Sequence, residues 1–322
     1  MTFIKGTGTA FLVLISSLAF GQQRPQFSQY MNNQLLLNPA ITGTAEQLDI
    51  KAGFRQQWAG IDDAPRTSYL SGQMSFGQQQ GKLLKGNNIG GKSGHGLGFI
   101  AMKDQTGPLS WTSGYVSYAF RMQLSRQFMV SFGASAGFQQ FLLDGTKLRY
   151  VDNSVAGIGT INNTRPDANI GVWLYSQKLF LGASMLQIIP GKIDGYTTGN
   201  STNGTNQLAK HFYVTTGYHF DLNKEIAIVP SVMVKLLSPA PPSLDINCKV
   251  KYKNTVWAGI SYRNNDGLTG MAGFAFLEMF NLTYAYDYIT SDLNAYQSGS
   301  HEVILGFRLN PKKKFVSPAD FW

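Results

Sequence analysis

The 322-residue sequence has little of what several protein classes require. It contains a single cysteine, Cys248, so it can form neither an intrachain disulfide nor a thiolate zinc cluster. Charged residues make up only 14% of the chain, against about 25% in an average soluble domain. A disulfide-stapled secreted domain and a zinc protein are therefore excluded. The four histidines are scattered, which leaves little for a histidine metal site: His95, His211, His219 and His301.

Apolar residues are nevertheless abundant. Hydrophobic residues make up 43% of the chain, which also contains 21 Phe, 15 Tyr and 35 Gly. This apolar content, combined with low charge, argues against disorder. After the first twenty residues, no stretch approaches the ~20 apolar residues that a transmembrane helix needs. A helical membrane protein is therefore excluded as well.

The first residues have the pattern of a secretory signal peptide. Lys5 provides a short basic region, and the apolar run 10–20 follows it. Ala19 and Gly21 place small residues at the −3 and −1 positions of a cleavage site before Gln22. We predict that residues 1–21 are a signal peptide, and a buried N-terminal helix is the alternative.

Alternation of apolar and polar residues is the strongest pattern in the rest of the chain. In 244–252, for example, the even positions are apolar and the odd positions are polar or charged. Most of the strands that this pattern predicts reach the ~9–11 residues of a tilted membrane strand. The fourteen predicted strands are 47–58, 65–77, 94–104, 109–123, 127–140, 166–175, 178–187, 208–221, 225–236, 242–252, 255–264, 268–276, 279–288 and 299–309.

The connections between these strands alternate in length. Those after strands four, six, eight, ten and twelve are tiny, whereas long ones lie near 141–165, 188–207 and 289–298. Short turns at one end and long loops at the other are typical of an outer-membrane barrel with periplasmic turns and extracellular loops. The connection 78–93 is a long exception at the turn end. We therefore predict an all-β fold, a transmembrane antiparallel outer-membrane β-barrel of about 14 strands over 47–310; a soluble β-sandwich or propeller is the alternative.

Charged residues fall on the polar face of the predicted strands, which a barrel directs into its lumen. A hydrated lumen braced by ion pairs is one interpretation of them. A lumen that holds a plug or a passing segment is another, because fourteen strands enclose more space than an eight-stranded barrel filled by side chains. The predicted lumen charges are Lys51, Arg55, Asp245, Lys249, Lys251, Asp287, Glu302 and Arg308.

No segment points to catalysis. Residues 86–93 fit G-x-x-x-x-G-K-S, but a phosphate-binding loop needs a strand before it and a helix after it, whereas here a strand-like stretch follows. No Gly-x-Ser-x-Gly nucleophile elbow occurs. The net charge of +9 is not accompanied by a basic face interleaved with aromatic residues for nucleic acid. We predict no enzyme activity, no catalytic residues, no cofactor, no metal and no nucleic-acid partner.

The segments on either side of the barrel need their own interpretation. Residues 22–46 are too polar for lipid and too apolar to remain in solvent. Because they precede the first strand, we expect them to begin in the periplasm and to form a short helix or hooked plug at the periplasmic mouth. An ordered arm that only caps the lumen is the alternative. Residues 311–322 are predicted to be a periplasmic tail, with Lys312–Lys314 at the outer-membrane lipids.

The segment before the first strand also carries a resemblance to a known family. It reads PQFSQYM over 25–31 and LNPA over 37–40, followed by Gly43. This pattern resembles the hallmark of the PorP/SprF family of type IX secretion membrane proteins, and the length, signal peptide and barrel pattern resemble that family over the whole chain. The resemblance implies an outer-membrane protein of Bacteroidetes-type bacteria, working with the machinery that exports proteins and anchors them at the cell surface.

Two roles within that family remain open. SprF-like members serve particular large surface adhesins, including those of gliding motility; this role implies a non-catalytic protein that binds the C-terminal domain of an exported adhesin. Other members are core components that associate with periplasmic lipoproteins or a peptidoglycan-binding subunit. An outer-membrane channel or transporter is the third alternative. The residues predicted to bind a partner are Phe27, Tyr30, Met31, Leu36, Asn38 and Pro39 in the N-terminal segment, and Tyr150, Ile158, Ile188 and Tyr196 in the long loops.

Overall fold

A computed structural model describes residues 25–45, 48–82, 90–148, 159–190, 209–237, 240–253, 255–264, 266–277, 279–290 and 292–309. The predicted signal peptide and the predicted C-terminal tail lie outside these residues. No helix among the described residues is long and apolar enough to cross a membrane.

The described chain forms a closed antiparallel barrel. Each strand pairs with its neighbours in sequence, and β1 pairs with β15 to close the ring. The segments β8 and β9 pair one after the other with β10, so they act as one strand interrupted at His219 and the barrel has fourteen strands. The strands are β1 (Asp49–Gln56), β2 (Arg66–Lys82), β3 (Gly90–Thr106), β4 (Leu109–Gln123), β5 (Met129–Leu143), β6 (Ile161–Tyr175), β7 (Leu179–Leu186), β8 (His211–Tyr218), β9 (Phe220–Asp221), β10 (Ile226–Leu237), β11 (Ala240–Tyr252), β12 (Val256–Arg263), β13 (Gly267–Phe276), β14 (Phe280–Ile289) and β15 (Ser300–Arg308).

The alternation in the sequence corresponds to the two faces of this wall. In β15, Leu305 is 47% exposed on the outside, whereas its neighbour Ile304 is 1% exposed on the inside. The outer face is apolar along most strands, as membrane strands require, and the inner face carries most of the polar side chains. The predicted fold class, an outer-membrane barrel of about 14 strands, is confirmed.

The two ends of the barrel differ. We call the end at which β1 begins the turn end; the connections 124–128, 176–178, 222–225, 253–255 and 277–279 lie there. We call the opposite end the loop end; it carries the longer connections 57–65, 144–160, 187–210 and 290–299. Two short 3₁₀ helices, Gly145–Lys147 and Asp292–Tyr296, lie in these loops.

The prediction of a long connection at 78–93 is wrong for the residues of this range that the structure describes. Strand β2 continues to Lys82 and β3 begins at Gly90, so the two form a hairpin whose pairing continues past Gln73, the last β2 residue paired with β1. Backbone hydrogen bonds between two strands do not need apolar alternation, which is why the pattern in the sequence ends early. The strand β3 also begins inside the motif 86–93, at Gly90, so a strand stands where a phosphate-binding loop requires a helix.

Strands β5 and β6 also extend further than predicted, which shortens the connection at 141–165 to 144–160. The inward residues of this extension include apolar Phe141 and Leu143 next to polar positions such as Gln139. Mixed polarity on the inner face hides the alternation from the sequence pattern.

Candidate functional site

The lumen of the barrel contains residues 25–45, which we call the plug. Every residue from 27 to 44 is buried. The plug contains two 3₁₀ helices, Tyr30–Leu36, which is kinked at Asn33, and Pro39–Ile41. The second helix begins at Asn38, whose side-chain oxygen accepts a 2.9 Å hydrogen bond from the Ala40 N–H, as an N-cap does. Pro39 favours the same start because its φ angle is fixed near the helical value.

At the loop end, Ser28 of the plug binds the strands beside the closure of the ring. Its N–H donates to Glu302 Oε2 on β15 (2.6 Å), and its hydroxyl donates to Asp287 Oδ2 on β14 (2.5 Å). Arg55 of β1 contacts both carboxylates, with Nη2 2.9 Å from Asp287 and Nε 3.6 Å from Glu302. Removing one partner from such a buried group leaves an uncompensated charge, at a cost of roughly 3–5 kcal/mol.

A second ion-pair group holds the plug to β11 and β12. Arg263 lies 2.9 Å from Asp245 and 3.1 Å from Asp266. The same guanidinium donates to the backbone oxygen of Phe27 and to the side-chain oxygen of Gln26, at 3.0 Å each. The first residues of the plug therefore lie at the loop end, since β12 ends there.

Two lysines contact the middle of the plug. Lys51 Nζ donates to the backbone oxygen of Asn32 (2.6 Å), and Lys249 Nζ donates to the Asn32 side chain (3.3 Å). Lys249 is fully buried, and its ammonium lies 3.7 Å from the ring centre of Trp257, a cation–π contact that helps to compensate for lost water.

Toward the turn end, polar side chains satisfy the backbone of the plug and of the wall. Asn38 Nδ2 donates to the backbone oxygens of Val172 (3.1 Å) and Ala183 (3.3 Å). Buried backbone groups need such partners, and here plug and wall supply them to each other. Further wall contacts are Ser184 Oγ to Leu37 O, Ser131 Oγ to Ala40 O, Thr42 Oγ1 to Ser117 Oγ and Gly43 N to Gln73 Oε1.

A pair of glycines allows the plug to touch the wall at its last turn. Gly43 has a φ of +75°, and a Cβ there would lie 2.5 Å from the Cα of Gly96. A Cβ on Gly96 of β3 would in turn lie 2.2 Å from the backbone oxygen of Thr42. Any larger residue at either position would therefore push the plug off the wall, which explains a glycine after the LNPA sequence.

The apolar side chains of the plug are covered by inward residues of the barrel. Phe27 packs edge-on against Tyr69 with ring centres 5.4 Å apart, in one cluster with Tyr30, Met31 and Leu36. Ile41 belongs to a second cluster near the turn end, with Trp173 and other wall residues. The segment that is too apolar for solvent is therefore buried by its own barrel.

The structure places the residues predicted to bind a partner in different environments. Six of them, in the plug, are buried against the inner wall: Phe27, Tyr30, Met31, Leu36, Asn38 and Pro39. Ile188 is half-buried, and its N–H donates to the backbone oxygen of Ala168. Tyr150, Ile158 and Tyr196 lie outside the described residues. Contact of any of these residues with an exported protein remains a prediction.

The plug follows a longer path than the sequence suggested. We expected a hook at the periplasmic mouth, whereas the described segment runs through the lumen from Pro25 at the loop end to Ala45 at the turn end. The physical reason is that carboxylates and lysines lie along the whole length of the lumen, so the segment finds hydrogen-bond partners far beyond one mouth of the barrel.

All eight predicted lumen charges lie on the inner face. Five contact the plug directly: Lys51, Arg55, Lys249, Asp287 and Glu302. Asp245 pairs with Arg263, and Arg308 lies 3.9 Å from the buried Asp49. Lys251 is buried in β11, on the same face as Lys249. Plug and ion pairs therefore occur together, so the two interpretations of the lumen charges do not exclude each other.

Sequence reasoning missed several residues of this arrangement. Arg263 lies on the polar face of β12 by simple alternation, so the same pattern that indicated the other charges would have found it. Asn247, whose Nδ2 donates a 2.5 Å hydrogen bond to the Tyr30 hydroxyl, likewise lies on the polar face of 244–252 by alternation. Ser28 carries no comparable signal. Among the described residues, no group of three or more His, Cys, Asp or Glu side chains is arranged to hold a metal ion.

A closed antiparallel barrel with an apolar outer face and a polar, filled lumen defines an outer-membrane β-barrel protein. The chain belongs to the family of type IX secretion system membrane proteins PorP/SprF, which matches residues 19–307. The family resemblance and the outer-membrane location expected from the sequence are thus confirmed. No curated protein matches the chain.

Several solved barrels resemble this fold at low identity. A mutant of the monoaromatic hydrocarbon channel TodX matches with 12% identity and a TM-score of 0.44, covering 87% of this chain and 94% of that one. A mutant of the Rh. blastica porin matches with 11% identity and a TM-score of 0.35, covering 82% and 99%. The translocator domain of the autotransporter NalP from Neisseria meningitidis matches with 12% identity and a TM-score of 0.37, covering 82% and 88%.

Proposed function

We propose that this protein is a non-catalytic type IX secretion component that binds a large exported adhesin and anchors it or supports its export. The contact would be with the C-terminal domain of the adhesin, as for the SprF-like members linked to gliding motility. The observation that carries the proposal is the filled lumen: the buried residues 27–44 occupy the space that a diffusion channel would need. The exposed ends of the barrel then remain for binding.

The loop end is the surface that we assign to the exported protein. Long loops of outer-membrane barrels face the outside and short turns face the periplasm. Tyr296, in the loop before β15, is 77% exposed, and Ile189 is exposed in the loop after β7. Binding energy concentrates in a few aromatic or apolar anchors, so Tyr296 is the first candidate among the described loop residues.

Deletion of the gene tests this proposal. Mass spectrometry of biotinylated intact cells should lose one or a few surface proteins, while other type IX substrates still reach the surface or the medium. Complementation with Tyr296→Ser should restore display less well than complementation with Leu277→Ser. Leu277 is a matched control because it is 75% exposed in a turn at the opposite end. An unchanged surface proteome after deletion would refute the proposal.

A second candidate role, a core link to periplasmic lipoproteins or a peptidoglycan-binding subunit, has one observation in its favour. The β2–β3 hairpin pairs as far as Lys82 and Gly90, whereas β4 pairs with β3 only from Ser93 onward. The hairpin therefore extends beyond its neighbour on the side that we assign to the periplasm. Replacing 79–93 by a two-residue turn should then abolish export of every type IX substrate; loss of one or a few substrates would favour the adhesin-specific role instead.

A further inference from the structure

Charge on the outer face of the barrel is confined to one place. Among the strand residues whose side chains the structure describes, only Arg66 of β2 and Lys103 of β3 are charged residues at outward positions, and both are exposed. The other Asp, Glu, Lys and Arg residues of these strands fall at inner-face positions. A charge that faces the bilayer core is costly, so membrane barrels keep their lipid face apolar. Two cations on adjacent strands are therefore an exception that calls for a cause.

The pairing of β2 with β3 brings the two cations close together. Arg66 lies opposite Gln105, and Lys103, two residues away from Gln105, lies opposite Ser68. Diagonal neighbours of this kind have Cβ atoms about 7–8 Å apart. The long side chains of arginine and lysine bridge such a distance, so both charged groups can contact one anion placed between them.

Neutral polar side chains surround the cations. Thr112 of β4 lies opposite Lys103, and Ser110 lies opposite Gln105. Within the described part of the chain, none of these side chains forms an ion pair or a side-chain hydrogen bond, and no carboxylate shares their face of β2, β3 and β4. The group is therefore positively charged, and its donors are available to a ligand. We call it the outer patch, and its residues are Arg66, Ser68, Lys103, Gln105, Ser110 and Thr112.

The outer patch lies at the edge of the apolar band. Leu70 and Ala101, which pair with each other, are the next outward residues along β2 and β3, and exposed apolar side chains continue along β2 to Phe76. From Phe76 to Arg66 the strand advances ten residues. At about 3.4 Å per residue and a tilt of about 40°, this is about 26 Å along the membrane normal. The apolar band of outer-membrane barrels is about 25 Å tall, so Arg66 lies at the depth of the lipid head groups on the loop side.

We propose that the outer patch binds the phosphate group of an anionic lipid in the outer leaflet of the membrane. The Arg66 guanidinium would donate two parallel hydrogen bonds to the phosphate oxygens, and the Lys103 ammonium would add a point charge. Cations at head-group depth attract anionic lipids in general, and here two of them converge. The inference does not depend on the proposed function; it uses only the assignment of the loop end to the outside.

A lipid fits the outer patch better than a soluble anion does. The cations continue directly into an exposed apolar surface, where Leu70 is 43% and Phe99 is 40% exposed. Acyl chains lying on this surface would bury it, and each buried CH₂ adds to affinity. A soluble phosphate would gain the charge interaction alone.

Native mass spectrometry of the full chain released from detergent micelles tests the site. The probes are 2,3-diacylglucosamine 1-phosphate and the same glycolipid without its phosphate. We expect the phosphorylated lipid to bind at least about tenfold more tightly, since hydrogen bonds between charged groups are the stronger class. Equal affinities, or no binding of the phosphorylated lipid, would overturn the proposal. Inorganic phosphate in tenfold excess should leave the lipid bound; its displacement would assign the outer patch to a soluble anion and would overturn the lipid site.

Variants localise the effect. Arg66→Gln and Lys103→Gln should each weaken the phosphorylated lipid by about tenfold and leave the lipid without phosphate unchanged. The control is Lys147→Gln, which removes an exposed cation at the same end but in the loop after β5, 3.6 Å from Asp144. Equal weakening by this control would indicate general attraction by the basic protein and would overturn the site. Arg66→Lys keeps the charge and should retain more affinity than Arg66→Gln; equal losses in the two would mean that the charge of residue 66 does not bind the phosphate.

Discussion

Release of the plug should convert the closed barrel into an open channel. The plug meets the wall through hydrogen bonds, ion pairs and packing, and the chain continues from Ala45 into β1. A protease site that replaces Glu46 and Gln47 would let the barrel assemble around its plug before the segment is cut. Urea would then extract the cut segment, because membrane barrels withstand conditions that break such side-chain contacts.

The size of the opening follows from the strand number. Fourteen strands spaced about 4.8 Å apart and tilted by about 40° form a ring with a backbone radius of about 14 Å. Inward side chains take up about 5 Å of this radius, half of the spacing of about 10 Å between packed sheets. The free radius without the plug is therefore about 9 Å, enough for a water-filled channel of the porin kind.

Conductance across a planar bilayer measures this change. We expect uncut protein to conduct little, and protein that has lost the segment to conduct at least about tenfold more. Protein that is cut but not treated with urea is the control, and it should conduct little because the contacts of Ser28 and Asn38 still hold the segment. A synthetic peptide of residues 25–45 should reduce the conductance again.

Two results would refute the reasoning. A high conductance that is equal before and after release would mean that the plug does not close the lumen. That result would support the interpretation of the protein as a channel. An unchanged low conductance after mass spectrometry has verified the loss of the segment would mean that the wall side chains close the lumen without it.

Three further predictions concern facing, buried charge and sidedness. Leu305→Arg places a charge on the lipid side near the middle of β15 and should lower the free energy of unfolding by roughly 2–4 kcal/mol in urea titrations, whereas Leu305→Met should have little effect. Arg55→Met leaves two buried carboxylates without their cation and should lower the free energy of unfolding by roughly 3–5 kcal/mol. Arg66→Met, at an exposed position, should change it by no more than about 0.5 kcal/mol. Equal losses for the two variants would contradict the ion-pair assignment. An epitope tag placed directly before Pro25 should be labelled on intact cells, and a tag at Asn223 should be labelled after permeabilisation only; protection of the first tag would invert the assigned sidedness.

The wall of the barrel was predictable because it depends on local chemistry. A strand between lipid and a polar lumen must alternate, so the sequence around Leu305 indicates both the strand and its facing. Short turns leave little freedom in strand order, and the neighbours in sequence are the neighbours in space. Alternation failed where the sequence has no apolar residues, as at 78–82 (QQQGK), where β2 continues beyond the predicted end at Gly77.

The path of the plug was not predictable from the same information. Its residues show no period of two or of 3.6, and its partners lie far away in the chain; Glu302, for example, is 274 positions from Ser28. Such contacts leave no local signal in a single sequence. The family hallmark marked the segment as unusual, but the hallmark did not say that Asn38 would be bonded to β6 and β7.

The same long-range contacts set an order of events during assembly. The group around Ser28 requires β1, β14 and β15, so it forms when the last strand arrives and the ring closes. The N-terminal segment has to lie inside the curving sheet by then, or it must thread through a finished ring. Contacts that span almost the whole chain are slow to form. The apolar residues of the segment are therefore buried only when the ring closes, so a periplasmic chaperone has to protect them until that point as well as the outer face of the strands.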